Sequence, residues 1–482
     1  MPILLSSLAS LTAVWWIYFK ILRIAKAKNL VDNPDARKLQ RTPVPVMGGI
    51  AVFFGIVAGT LTGTVLMPQA ITPAGLLLPG IAATAMLYIG AMDDIIGLSP
   101  RSRFFIEITV FLALVAATGR CLDSFHGLWG IGTLPTWIAV ALTVVAGVGI
   151  VNAVNMIDGV NGLSSGLCIV CSALFGSALL RNGDTAGSLL AFSTSAALVP
   201  FFMHNVFGKR SRMFIGDAGT MVMGMLMAWF VISLVHTDGE GTETGHEEGP
   251  NMVAFSLAVL SVPVFDTLRV MGMRMLEGKN PFSPDKTHLH HVFICVGVSH
   301  SVTALCEIGI DAAIVAVWAT AAGLGADADL QFYAVTGASA MLVWGMYLLI
   351  RHHIVRHTPF LHRLTRFSIS THLGHRAWWL SMQRWLDAPE RGENDEDERI
   401  LQAQRQRHFP QADPQTEKER DRRRIREFIQ GKAEVFIDDI MERSGAERLR
   451  VYPIIYEEER AGRLAVVERD GWGAPLIVTA EA

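Results

Sequence analysis

The chain has 482 residues, 51% of them hydrophobic and only 18% charged, with a mean hydropathy of +0.36. These values lie above the usage of an ordinary soluble domain, and the apolar residues arrive in blocks of roughly 18 to 23, the length of a helix that crosses a bilayer. A formal net charge of -3 averages over a sharp split along the chain, so it excludes a membrane bundle no more than it requires one.

Taken in order, the apolar blocks predict spans at Pro2 to Tyr18, Met47 to Met67, Leu76 to Ala91, Phe104 to Ala117, Leu134 to Val151 and Leu163 to Leu180. Further spans follow at Ser188 to Met203, Gly216 to Val235, Met252 to Met271, Val302 to Leu324 and Phe332 to Ile350. The fold class is therefore an all-α polytopic membrane bundle of about eleven transmembrane helices. The first block has no basic region before it and is followed by Lys20, Arg23, Lys26 and Lys28. It reads as an uncleaved anchor with its N-terminus outside. Cys168 and Cys171 share one face of an apolar helix as small buried side chains, and the five cysteines (with Cys121, Cys295 and Cys306) form no metal or disulfide spacing.

Alternate loops are basic. The first carries Arg37, Lys38 and Arg41, the third Arg101 and Arg103, the seventh Lys209, Arg210 and Arg212, and the ninth Arg274, Lys279 and Lys286. The loops between them are neutral or acidic, most clearly 236–251 with Glu240, Glu243, Glu247 and Glu248. Positive charge stays on the cytoplasmic side, which places the odd loops and the C-terminus in the cytoplasm.

Residues 1–350 thus form the membrane domain and 351–416 a juxtamembrane segment and linker. The segment mixes Arg351, His352, His353, Arg356 and Arg366 with Trp378, Trp379 and Trp385. It suits either an interfacial stretch on the anionic leaflet or a helix cluster packing on the bundle. The polar stretch 388–418 reads as linker. Residues 417–482 form a small cytoplasmic α+β module. Helices are predicted at Glu419 to Gln430, Val435 to Ser444 and Glu447 to Ala461, then strands at Leu464 to Val467 and Pro475 to Val478 around Asp470-Gly471. Three helices and a hairpin resemble a winged helix. Acids slightly outnumber bases there, which favours a protein partner over DNA.

The unusual polar residues gather at the predicted cytoplasmic helix ends. Asp93-Asp94 closes one span, and ionisable pairs beside a membrane helix are costly, so use in metal binding or proton transfer is the default reading against simple capping. NAVNMIDGVNG follows the fifth span with Asn152, Asn155, Asp158, Asn161, Gly159 and Gly162, a density of amides and carboxylates that fits a polar ligand. FIGDAG sets Asp217 at a helix start, where N-capping is the ordinary role. PDKTHLHH brings His288, His290 and His291 beside cations, able to donate to phosphate oxygens. Acids for a divalent cation, amides for a nucleotide and cations for phosphates together are the requirements of phosphoryl transfer. A lipid or sugar transporter, or an inactive scaffold for the C-terminal module, are the competing classes. Against a transporter, the polar residues sit at one membrane face and no internal repeat is evident.

The Lys38 to Gly49 loop, Asp93-Asp94, NAVNMIDGVNGL, FIGDAGT and PDKTHLHH, in this order relative to the spans, resemble the polyprenyl-phosphate N-acetylhexosaminyl-1-phosphate transferase family over roughly Pro2 to Ile350. The HLHH form resembles the branch that uses UDP-N-acetylglucosamine to initiate O-antigen, enterobacterial antigen or teichoic acid, rather than the phospho-MurNAc-pentapeptide branch. The resemblance implies a Mg2+-dependent reaction, with Mn2+ as a substitute, in which undecaprenyl phosphate attacks the β-phosphorus of a UDP-sugar and UMP leaves. It implies Asp217 as metal ligand, with Asp93 and Asp94 assisting the metal or deprotonating the lipid phosphate. Asp158 joins these as a catalytic candidate; Asn152, Asn155 and Asn205 are candidates for nucleotide or sugar contacts. His288, His290 and His291 would hold the diphosphate, and Lys38 would neutralise phosphate. The lipid bilayer is the implied setting and a homodimer an allowed assembly. Asn161 stands where many members carry an acid, so it is not counted as catalytic.

Overall fold

The computed structural model describes residues 1–32, 43–71, 73–237, 250–281, 287–296, 298–356, 376–388 and 414–430, with shorter stretches between 435 and 480. The chain divides into two compact units, residues 1–390 and 391–482.

All eleven predicted apolar blocks of the first unit are helical. In chain order they fall in α1 (Pro2–Ala27), α2 (Gly48–Leu66), α3 (Pro73–Ile96), α4 (Pro100–Thr118), α5 (Thr136–Met156), α6 (Leu163–Arg181), α7 (Thr185–Phe207), α8 (Gly216–Val235), α9 (Met252–Val259) with α10 (Ser261–Leu276), α12 (His300–Gly323), and α13 (Ala328–Ser339) with α14 (Gly345–Arg356). The short α11 (Leu289–Cys295) precedes α12. Among the described residues, nine helical stretches are long and apolar enough to cross a membrane. The two remaining predicted spans differ for visible reasons. α4 carries Arg101, Arg103 and Glu107 in its first half, and the α9–α10 pair bends by 77°. The bend frees backbone at Leu260, and Asp311 of α12 takes up the slack, accepting from Ser261 Oγ at 2.8 Å and Val262 N at 3.3 Å.

Helix α8 is the axis. It is apolar all round and 94% buried, the pattern of a helix with neighbours on every side. Glycines let those neighbours approach backbone to backbone: a Cβ on Gly49 would lie 2.3 Å from Gly219, and one on Gly90 would lie 2.4 Å from the Asp217 carbonyl oxygen. Two strand pieces, β1 (Val31–Asp32) and β2 (Val44–Pro45), pair antiparallel beside the start of α2. Phe214 N donates to the Pro45 carbonyl, and Gly48 N and Gly49 N donate to the carbonyls of Phe214 and Ile215 (2.8–2.9 Å). The entrance to α8 is thereby tied to the entrance to α2.

Beyond α14, residues 357–375 of the juxtamembrane segment lie outside the described residues, and helix α15 (Ala377–Leu386) carries its tryptophans. Trp385 lies 4.9 Å from Trp15, and Trp379 lies 4.5 Å from Phe207, so this part packs on α1 and α7. Asp387 then accepts from the backbone of Lys209 and Arg210 (3.2 Å) and from Ser211 N (3.0 Å) and Oγ (2.7 Å). A residue of the C-terminal segment therefore fixes the loop that leads into α8.

In the second unit, α16 (Pro414–Ile429) and a three-stranded antiparallel sheet of order β3-β5-β4 surround a core of Ile425, Ile429, Val435, Ile454, Ile455, Leu464 and Val478. The hairpin is present, each strand longer by two residues than predicted: β4 (Leu464–Arg469) and β5 (Pro475–Ala480). The start of the predicted second helix is corrected. Val435 and Phe436 are strand β3, paired with Val478 and Ile477, because a β-branched and an aromatic residue gain more by completing the sheet than by extending a helix. The predicted turn Asp470-Gly471 and most of the third helix lie outside the described residues.

Glu458 holds this unit together. Its buried carboxylate accepts from Arg426 Nε (2.5 Å) and Nη2 (2.9 Å) and from Arg463 Nε (2.9 Å) and Nη2 (3.0 Å). Burial alone would raise its pKa, but the hydrogen bonds from Arg463 and Arg426 prevail and hold it at about 2. A depressed carboxyl contributes stability that is fully present above its ordinary value near 4.5 and is lost as pH falls towards 2. Amide hydrogen exchange of 414–480 in the full chain, corrected for intrinsic rates, is expected to lose protection across that window. Glu458→Gln is expected to show the same loss at pH 7; unchanged protection in the variant would refute the role given to Glu458.

Candidate active site

Every polar cluster singled out from the sequence and described in the structure lies at one end of the bundle, at the C-terminal ends of α3, α5 and α7 and the N-terminal ends of α4, α6, α8 and α11. A cavity of about 780 Å³ opens there, and its lining includes Asp94, Asn155, Asp158, Asn161, Asn205, Arg212, Asp217, His291 and His300.

Gly216 has a positive φ of 72°, which lets the chain turn sharply into α8, and a Cβ there would meet the Asp94 carboxylate at 2.6 Å. The backbone N–H groups of Asp217 and Ala218 donate to Asp94 Oδ1 (2.9 Å) and Oδ2 (3.1 Å). Asp94 therefore caps α8 from a different helix, complementing its positive end. Asp217 projects from the first turn, 35% exposed. Its Oδ1 accepts from Asn155 Nδ2 at 2.5 Å, and the same amide donates to Thr220 Oγ1 at 2.7 Å. Asn155 is thus a positioning group for Asp217.

Asp158 lies in the turn after α5. It is open to the cavity yet ringed by protein, and the lost solvation pushes its carboxyl up to about 6. A hydrogen bond from Ser164 opposes the rise, and the nearby Asp217 carboxylate adds to it. Asp94, Asp158 and Asp217 thus supply several carboxylate oxygens to one cavity. That all-oxygen donor set suits a hard divalent cation such as Mg2+. Facing them are Arg212, whose Nε is buried without a hydrogen-bond partner among the described residues, His291, and His300, whose Nδ1 accepts from Asn161 N at 3.3 Å.

Other predicted residues serve the site from behind. Asp93 is off the cavity lining: Oδ1 accepts from Leu98 N at 2.6 Å and Oδ2 pairs with Arg103 at 3.2 Å. Asn152 donates to the fully buried Glu107 at 2.6 Å and accepts from Arg103 at 3.4 Å. Arg103 also reaches Glu107 at 3.3 Å and Asp217 at 3.9 Å, so one cation links α3, α4, α5 and α8. Asn205 lines the cavity, but both ends of its amide are used, accepting from Gly162 N (2.8 Å) and donating to the Met213 carbonyl (3.0 Å).

The histidines form a graded stack. His288 Nδ1 is 2.8 Å from Asp266 Oδ2, and Asp266 Oδ1 accepts from Arg269 at 2.6 and 3.1 Å. Arg269 in turn lies 3.7 Å over the Tyr347 ring. His288 stacks on His290 (5.8 Å), which leans on His291 (4.3 Å) at the cavity wall. Burial first, then the neighbouring His291 and His288, holds the His290 pKa well below the usual imidazole value. Gly159 lets the chain pass close to this stack: a Cβ there would lie 2.5 Å from His290 Nε2 and would push the ring aside. Lys38 lies outside the described residues.

Arg103, Glu107, Arg212, His300, Asp266 and Arg269 were not marked as site residues by the sequence. Glu107, Asp266 and Arg269 carried a usable signal, being ionisable residues inside apolar blocks.

Residues 76–235 match the model of glycosyl transferase family 4. The undecaprenyl-phosphate alpha-N-acetylglucosaminyl 1-phosphate transferase of Yersinia pestis is 30% identical over 307 residues, 62% of this chain and 78% of that protein. The protein of the same name from Salmonella typhi is 30% identical over 335 residues, 68% of this chain and 85% of its own length. A probable undecaprenyl-phosphate N-acetylglucosaminyl 1-phosphate transferase of Bacillus subtilis is 30% identical over 304 residues, 63% and 80% of the two chains.

Proposed function

The chain belongs to glycosyl transferase family 4 and is an enzyme of the phosphotransferase class, and we propose that it transfers N-acetylglucosamine-1-phosphate from UDP-N-acetylglucosamine to undecaprenyl phosphate. The observation that carries this reading is the pairing, in one cavity at a helix-end face, of the Asp94, Asp158 and Asp217 carboxylates with Arg212, His291 and His300. The relatives' names supply the lipid and the sugar.

In the proposed reaction an oxygen of the lipid phosphate forms a bond to the β-phosphorus of the UDP-sugar. The bond from that phosphorus to the bridging oxygen breaks, and UMP leaves with the electron pair. Mg2+ bound among the carboxylates would neutralise charge on the diphosphate. Asp217, held by Asn155, would be its principal ligand, and Asp94 and Asp158 would be the further oxygen donors. Arg212, His291 and His300 face the diphosphate as donors. Asp93 acts through Arg103, which it orients beside Asp217. A phosphate monoester is already mostly ionised near neutral pH, so no general base is required, and Asp158 serves by charge rather than by proton removal.

The topology follows the same reading: eleven crossings with α4 and the α9–α10 pair included, the N-terminus outside, and the cavity facing the cytoplasm of a bacterial inner membrane. The C-terminal unit is proposed as a winged helix. Its helix, strand β3 and terminal hairpin support this, and its acidic balance favours a protein partner over DNA.

The test uses purified protein with undecaprenyl phosphate, Mg2+ and UDP-N-acetylglucosamine labelled in the sugar. Labelled lipid whose formation EDTA abolishes supports the proposal. Product only with another UDP-sugar overturns the donor, and no product with any UDP-sugar overturns the activity in favour of transport or a scaffold.

A further inference from the structure

The far end of α8 carries a second cluster. His236 follows α8 and stands twenty residues beyond Gly216, about 30 Å away along a helix rising 1.5 Å per residue. There, α4 ends at Gly119, and residues 119–135 fold back over the end of α8. This loop is internally braced: Asp123 N donates to the Cys121 carbonyl (2.9 Å), Leu134 N to the Asp123 carbonyl (2.7 Å) and Leu122 N to Thr143 Oγ1 (2.8 Å). His126 Nε2 meets the Val235 carbonyl at 3.0 Å.

The bracing brings three side chains together from two distant segments. The Cys121 sulfur, an Asp123 oxygen and a His236 nitrogen lie within 4.8 Å of one another. Cys121 is 7% exposed, and the side chains of Asp123 and His236 are 19% and 15% exposed. Asp123 Oδ2 is 2.6 Å from His236 Nδ1, while Oδ1 accepts from Thr237 N (3.0 Å) and Oγ1 (3.3 Å). These outer bonds fix the carboxylate as they do behind metal ligands. The neighbouring Arg120 is engaged elsewhere, with Asp184 at 2.9 Å and over the Trp229 ring.

We propose that Cys121, Asp123 and His236 bind Zn2+ at the end of the bundle opposite the catalytic cavity. The donor set decides the ion. A thiolate and an imidazole suit borderline-soft Zn2+, whereas Mg2+ and Ca2+ take oxygen ligands. Zinc bonds of roughly 2.0 to 2.3 Å in a tetrahedron set donors roughly 3.3 to 3.8 Å apart, so the His236–Asp123 pair opens by about 1 Å on binding. The Cys121 thiol proton is released to solvent, and water takes the fourth position. The ion would tie the end of α8 to the α4–α5 loop.

The test uses the full-length protein in detergent, purified without a metal column, stripped with EDTA, reloaded with Zn2+ and desalted. Wild type is expected to retain about one zinc per chain by mass spectrometry. Cys121→Ser and His236→Gln are each expected to retain at least tenfold less. With Co2+, wild type is expected to show a sulfur-to-metal charge-transfer band that Cys121→Ser lacks. Transferase activity of both variants stays near wild type, since neither residue lines the cavity. His236→Gln decides the matter if Cys121→Ser is not monodisperse. Zinc absent from reloaded wild type, or retained in full by the variants, would overturn the site.

Discussion

Asp217→Ala is expected to lower transfer by on the order of a thousandfold or more, whereas Asn161→Ala is expected to cost less than about tenfold. The difference follows from what each substitution removes. Asp217 presents a carboxylate to the cavity, fixed by Asn155 and close to Arg103. On the proposed reading its loss would delete the central oxygen donor and leave Asp94 and Asp158 to hold the cation without it. Asn161 contributes its backbone N–H to His300, and that bond survives truncation to Ala. Steady-state rates of both variants in one detergent preparation check the ranking. Equal losses would mean that Asn161 performs the role assigned to the carboxylates.

Asp266→Ala is expected to act twice. The variant strands the buried Arg269 guanidinium and the His288 imidazole, and removing one partner of a buried ion pair costs about 3–5 kcal/mol. It also releases the anchor of the histidine stack, for which a loss of about 10 to 100-fold in rate is expected, as for other groups that orient a ligand from behind. Asp266→Asn separates the effects: the amide keeps the shape and one acceptor, so stability recovers in part while the His288 ring loses its carboxylate partner. Thermal unfolding together with kcat and KM for both variants provides the check. If Asp266→Asn matched wild type in rate, the stack would not depend on the Asp266 charge.

The sequence exposed those parts of the site that announce themselves by composition. Asp94, Asn155, Asp158, Asn205, Asp217 and His291 stood out as polar residues at apolar helix ends, and the fold brings all six to one cavity. What it hid was the division of labour. Asp93 and Asp94 are adjacent, yet one pairs with Arg103 while the other caps α8. That outcome depends on the rotation of α3 against α4 and α8, which no local pattern encodes. Arg103 and Arg212 read as ordinary cytoplasmic charges, because topology and catalysis both call for cations on that face. Cys121 and His236 stand 115 positions apart in the sequence, so no ligand spacing could reveal them. Val435 and Phe436 illustrate the converse case, where a tertiary partner, β5, overrides a local helical pattern.

Position of the label decides the chemistry most directly. UDP-N-acetylglucosamine carrying labelled phosphorus only at the β-position is incubated with the purified protein, undecaprenyl phosphate and Mg2+. Transfer of sugar-1-phosphate predicts the label in the lipid product, with unlabelled UMP released in equal amount. Label remaining in released UDP while sugar appears on the lipid would show glycosyl rather than phosphoryl transfer, and would contradict the account.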